Sequence, residues 1–155
     1  MAGVMVVRRL PGWQERLLLY IAKVEREPFR YDGTRDCFGF VRGAVKAMTG
    51  ADLCGEYVGR YFDRAGFHRL LKADGHQGLI GAMRAKAAEF GWPEVAEDEA
   101  DLGDIAVLPA SPKCSPYRNS LAIVNATGFI ARTTKGLALA PAGLALGIWR
   151  IPTHV

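Results

Sequence analysis

The chain has 155 residues, half of them hydrophobic, with a formal net charge of +4. That length and hydropathy suit one domain with a real core, over residues 1–155, and exclude a disordered polymer. No apolar run approaches the ~20 residues of a membrane span, so no span is expected.

The first ten residues carry a short apolar piece, Val4 to Val7, followed by Arg8 and Arg9. A secretory signal has the reverse order, so none is expected. The first helix is expected from Pro11-Gly12 to about Glu27, with Trp13, Leu17, Ile21 and Val24 on one face. Pro28 should end it, because proline disfavours helix in the residue before it. Residues 29–35 read as a loop with a turn at Asp32-Gly33.

A second helix should open after Asp36, a good N-cap, and close at Thr49-Gly50. Its stripe is Cys37, Val41, Ala44, Val45 and Met48. Gly39 and Gly43 lie four apart on another face, which suggests a close backbone approach. Shorter helices are expected around 54–64 and 67–73, punctuated by Gly66 and Gly75. A last one is expected over 77–90, with Leu79, Ile80, Met83, Ala87 and Phe90 on one side and Gly91-Trp92-Pro93 as its stop.

Glu94 to Asp101 is an acidic connector. Beyond it the period changes. Residues 105–108, 121–125, 128–132, 137–140 and 146–151 read as short strands, and Asn125 to Gly128 as a hairpin loop. Helices over about 12–92 and then a small antiparallel sheet over about 104–151 make an α+β arrangement.

Cys37, Cys54 and Cys114 are odd in number and widely spaced, which fits a reducing compartment rather than a disulfide framework. No Cys-x-x-Cys occurs, and His68, His76 and His154 are not near the cysteines in sequence. No metal and no cofactor are expected. The basic residues alternate with acids, as in Arg26-Glu27 and Asp63-Arg64, which reads as a solvated surface rather than a nucleic-acid footprint.

The string Asp36-Cys37-Phe38-Gly39-Phe40-Val41 places a thiol at a helix N-terminus, where the helix dipole favours the thiolate. With Gly103-Asp104-Ile105-Ala106-Val107-Leu108 and the strands that follow, it resembles the NlpC-type branch of papain-like cysteine peptidases. Trp13-Gln-Glu-Arg-Leu, Pro28-Phe-Arg-Tyr-Asp-Gly and Gly147-Ile-Trp149-Arg150-Ile151 are similar to a phage and prophage group within it, found among tail genes. The resemblance spans roughly residues 13–151 and implies a papain-like fold with its helices packed on the sheet.

The resemblance also implies a cysteine nucleophile, a histidine base at the start of the strand after the Gly-Asp landmark, and a polar orienting residue on the next strand. Cys37 matches the nucleophile. Ser120 stands at the base position and Ala131 near the orienting one. A serine hydroxyl is too weakly basic to replace imidazole near neutral pH. His68 and His76 fall on the wrong element and read as surface or capping residues. His154 lies beyond the last strand.

Two readings of Cys37 follow: a reactive thiolate, or a small apolar residue of the helix stripe. Cys54, Cys114, Trp92 and Trp149 read as packing residues. The expectation is a degenerate phage or prophage tail protein, of the tail tip or baseplate. It would be made in the bacterial cytoplasm and carried in the virion. Its expected partners are other tail or baseplate proteins, and peptidoglycan if the cleft still binds it. The alternative is an active cysteine hydrolase that cuts peptidoglycan stem peptides.

Overall fold

The structure, a computed structural model, describes residues 5–109 and 119–153. Its architecture is α+β. Four helices, α1 (Trp13–Val24), α2 (Cys37–Thr49), α3 (Arg64–Ala73) and α4 (Gly78–Phe90), precede five strands, β1 (Ile105–Leu108), β2 (Ser120–Val124), β3 (Gly128–Thr133), β4 (Gly136–Pro141) and β5 (Gly147–Trp149). The strands form one antiparallel sheet in the order β4-β3-β2-β1-β5.

Local punctuation sets most of the boundaries. Asp36 caps α2 by accepting a hydrogen bond from the Gly39 N–H at 2.7 Å, and Gly50 ends it at φ 79. Gly91 ends α4 in the same left-handed geometry. Helix α1 stops at Val24, three residues before the expected Glu27. Its C-terminal carbonyls are taken by an arginine 108 residues away, for Arg132 Nη1 donates to Val24 O and Nη2 to Glu27 O. The Asn125–Gly128 loop forms as expected, closed by the Asn125 N–H on Gly128 O at 2.8 Å.

The helix expected over 54–64 is not there. Only a single 3-10 turn, Gly55–Tyr57, occurs in that stretch. Cys54 sits at φ 56, Val58 is extended and Gly59 is at φ 76, so no helical run can continue through them. Helix α3 instead begins at Arg64, earlier than the expected residue 67, because Asp63 caps it through the Gly66 N–H. Gly66 therefore lies inside α3 rather than between two helices.

The side chains of the sheet divide by their period of two. Ile105, Val107, Leu121, Ile123, Trp149 and Ile151 join the helices in the larger core, centred on Phe40, Val41, Val45 and Met48 of α2. Ala106, Leu108, Ala122, Val124, Phe129 and Ile148 form a smaller core on the other face, under Val95, Ala100 and Ala145. Both faces of β1 are covered, which explains its unbroken apolar run. Trp92 and Trp149 are buried, as packing residues should be, and Trp92 Nε1 donates to Val7 O at 2.8 Å.

The two glycines of α2 meet different neighbours. A Cβ on Gly39 would clash with the Thr34 carbonyl carbon, a true backbone approach. A Cβ on Gly43 would strike the Tyr20 ring of α1. Tyr20 uses that space to donate its hydroxyl to Phe40 O at 2.8 Å.

A buried knot joins the two ends of the described chain. Arg9 is 3% exposed and Asp104 is fully buried. Arg9 Nη2 meets Asp104 Oδ1 at 2.6 Å, while Nε and Nη1 donate to Ile151 O and Leu102 O. Trp13 stacks on the guanidinium at 4.1 Å. The Gly103-Asp104 pair is thus more than the turn expected. Gly103 supplies a φ of 88, and Asp104 holds the N-terminal segment to the start of β1.

Candidate functional site

The first residue of α2 faces the first residue of β2. Helix α2 lies across the sheet because Val41, Val45 and Met48 pack on the β1–β2 side chains. That placement sets Cys37 in one cleft with Ser120 at the start of β2. Cys37, Ser120 and Ala131 line one cavity of about 340 Å³ with Asp36, Tyr61 and His68.

The helix dipole does not decide the state of this thiol. Burial pushes the Cys37 thiol above its ordinary value, and the adjacent Asp36 carboxylate pushes the same way. The hydrogen bonds from Leu121 and Ser120, and the charge of Arg64, oppose that shift without overcoming it. The lowered pKa expected from the N-terminal position is not realised. Desolvation and a like charge both act against the favourable half-charge of a helix end.

Asp36 is itself held in place. Its second oxygen accepts the Tyr61 hydroxyl, so one carboxylate caps α2 and anchors the 58–63 segment. Burial raises its pKa, while the bonds from Tyr61 and Gly39 hold it down. Tyr61 is pushed well above the ordinary tyrosine value by burial and by Asp36.

His68 was expected on the surface. It is half-buried on α3 and lines the same cavity as Cys37. The 58–63 segment and the α3 start set its position, and neither is marked by sequence spacing to Cys37. His76 lies between α3 and α4, where its backbone N–H donates to Leu71 O at 3.0 Å. Cys54 is buried, and burial pushes its thiol up to about 12, so it serves packing. Cys114 and His154 lie outside the described residues.

The arrangement supplies a protonated thiol, a hydroxyl and a main-chain N–H at one end of a mostly apolar cleft. The N–H and hydroxyl could stabilise negative charge on a neighbouring atom. Neither can take a proton from sulfur at neutral pH. Among the described residues no three His, Cys, Asp or Glu side chains converge as metal ligands would. No helix among them is long and apolar enough to cross a membrane.

The chain belongs to the family described as Domain of unknown function (DUF6950). The match covers residues 8–151, which takes in every helix and strand, the Arg9–Asp104 knot and the Cys37 cleft. No curated protein matches the chain at a significant level.

Proposed function

We propose that this chain is a structural or assembly component of a phage or prophage tail, at the tail tip or baseplate, built on a papain-like, NlpC-type fold that has lost its catalytic base. The observation that supports the loss is Ser120, which lines the Cys37 cleft at the strand start where the resemblance calls for an imidazole. Ala131 lines the same cleft at the place of the orienting residue and offers no side-chain hydrogen bond. The tail assignment rests on the sequence likeness described above. A fold kept without its base is kept for its contacts, with other tail proteins or with peptidoglycan as the partner class.

The test uses purified protein on cell-wall sacculi beside a Cys37→Ala variant. The expected result is no cysteine-dependent release of stem peptide. Tail particles purified from a lysogen carrying the gene should contain the chain, with the virion as its final location. Its absence from such particles would refute the tail assignment.

A second reading, an active hydrolase of stem peptides, is favoured by one observation: His68 of α3 lines the Cys37 cleft. An imidazole reaching the thiol from the helical side could serve as the base. Peptide release that both Cys37→Ala and His68→Ala abolish would establish this reading and overturn the first.

A further inference from the structure

Strand β4 is the outer strand of the sheet, paired with β3 along one side only. The phase of its ladder follows from the turn. A two-residue turn, Thr134-Lys135, joins β3 to β4, and the closing pair is Thr133 with Gly136. In such a ribbon the closing pair is hydrogen-bonded, and bonded and non-bonded pairs then alternate. Ala138 and Ala140 therefore spend their backbone groups on β3, while Leu137 and Leu139 direct N–H and C=O outward. Pro141, the next outward residue, has no N–H and ends the row.

Among the described residues, no charged side chain lies within β4 itself. The strand reads Gly-Leu-Ala-Leu-Ala-Pro, and Leu139 is 73% exposed. Sheets ordinarily protect such an edge with a lysine, a proline, a bulge or a cover, and β4 has only Pro141 at its end. At the two ends of β4 stand opposite charges. Lys135 lies in the turn before it. The Glu97 carboxylate lies just after it, accepting the Gly143 N–H at 2.7 Å. Among the described residues neither Lys135 nor Glu97 forms an ion pair.

We propose that β4 is the surface through which two copies of this chain pair, antiparallel about a two-fold axis at Ala138, extending the sheet across both. On that axis Leu137 of one copy opposes Leu139 of the other. The outward N–H and C=O groups of both leucines are then satisfied, and each leucine faces a leucine. The contact is isologous, so it closes as a dimer. It opposes no like charges. Antiparallel pairing also carries Lys135 of each copy to the far end of the other copy's strand, opposite Pro141 and beside the turn that holds Glu97. The complementary charge therefore belongs to this chain, at the end that self-pairing requires. That favours a second copy over an unrelated strand. The proposal does not depend on the tail assignment.

The experiment is sedimentation of the full chain over a concentration series, with three sets of variants. Wild type should pass from monomer to dimer as concentration rises. Leu139→Lys, at a solvent-exposed position, should shift that transition at least tenfold upward. Glu97→Lys should weaken pairing likewise, and adding Lys135→Glu should restore it. In a Cys114→Ser background, Ala138→Cys should oxidise to an inter-copy disulfide. Residues opposed in a non-bonded antiparallel pair lie ~4.5 Å apart at Cα, within disulfide reach. Ala140→Cys, displaced along the strand from its counterpart, should not. A chain that stays monomeric throughout overturns the proposal. So does a dimer that survives Leu139→Lys and yields no disulfide at residue 138, which would assign pairing to another surface.

Discussion

Replacing Asp104 with alanine should destabilise this chain more than most single substitutions. The carboxylate is fully buried and accepts Arg9 Nη2 at 2.6 Å, the Asp101 N–H at 2.8 Å and the Ile151 N–H at 3.2 Å. Asp104→Ala strands the Arg9 guanidinium in a site that excludes water and leaves two main-chain donors unpaired. Breaking a buried pair from one side costs about 3–5 kcal/mol. For a chain of this length that corresponds to a drop of about 6–20 °C in melting temperature. The loss comes from the unpaired charge, so removing both charges should recover part of it. Arg9→Met/Asp104→Leu should be more stable than the sum of the single effects predicts, by about 1–3 kcal/mol of coupling. Recovery is incomplete because Arg9 also serves Leu102 O and Ile151 O. Urea unfolding of the wild type, Arg9→Met, Asp104→Leu and the double variant measures the cycle, with Asp104→Ala measured beside them. A loss under about 1 kcal/mol for Asp104→Ala, or strict additivity in the cycle, would refute the reasoning.

Four further outcomes are expected. Alkylation of Cys37 by iodoacetamide, followed by mass spectrometry, should rise only above the ordinary cysteine pKa of about 8.5, because burial and Asp36 raise the thiol. In Ser120→His the profile should move to lower pH, since an imidazolium beside the sulfur favours thiolate. Gly39→Ala should cost about 2 kcal/mol or more in denaturant, since its Cβ meets the Thr34 backbone and must displace it. Asp36 binds its proton more tightly folded than unfolded. Its contribution therefore falls as pH rises from the ordinary carboxylate value through its raised folded value. Asp36→Asn keeps a capping oxygen and should remove that part of the slope in a pH series of unfolding curves, and an unchanged slope would count against the raised pKa.

Elements with local causes were legible from the residues alone. Asp36, Gly50 and Gly91 mark helix ends by capping and by left-handed backbone, both of which act within a few residues. The apolar stripe of α2, the β1 run and the 125–128 turn are likewise local. Cys37, Ser120 and Ala131 line one cavity, and only the folded chain brings them together.

Other features have partners too far along the chain to be read there. Arg9 and Asp104 are 95 residues apart, and nothing in Arg8-Arg9 distinguishes the buried cation from its half-buried neighbour. The Val24 carbonyl at the end of α1 meets Arg132, 108 residues away. The stretch 54–64 has acceptable helix composition, yet tertiary packing holds Cys54 and Gly59 at positive φ.

The sequence by itself determined the order of helices and strands, the α+β class, and the residues at which most elements begin and end, because capping, turn chemistry and hydrophobic period are short-range. Only the tertiary structure decided the electrostatic character of the site. A helix N-terminus alone argues for a lowered thiol pKa. The fold sets that half-buried thiol in the cleft with Ser120, beside Asp36, and burial and the Asp36 carboxylate push its pKa up. The same packing brought His68 of α3 to the cleft. Burial and charge proximity are properties of space rather than of sequence separation, so neither could be read before the chain was folded.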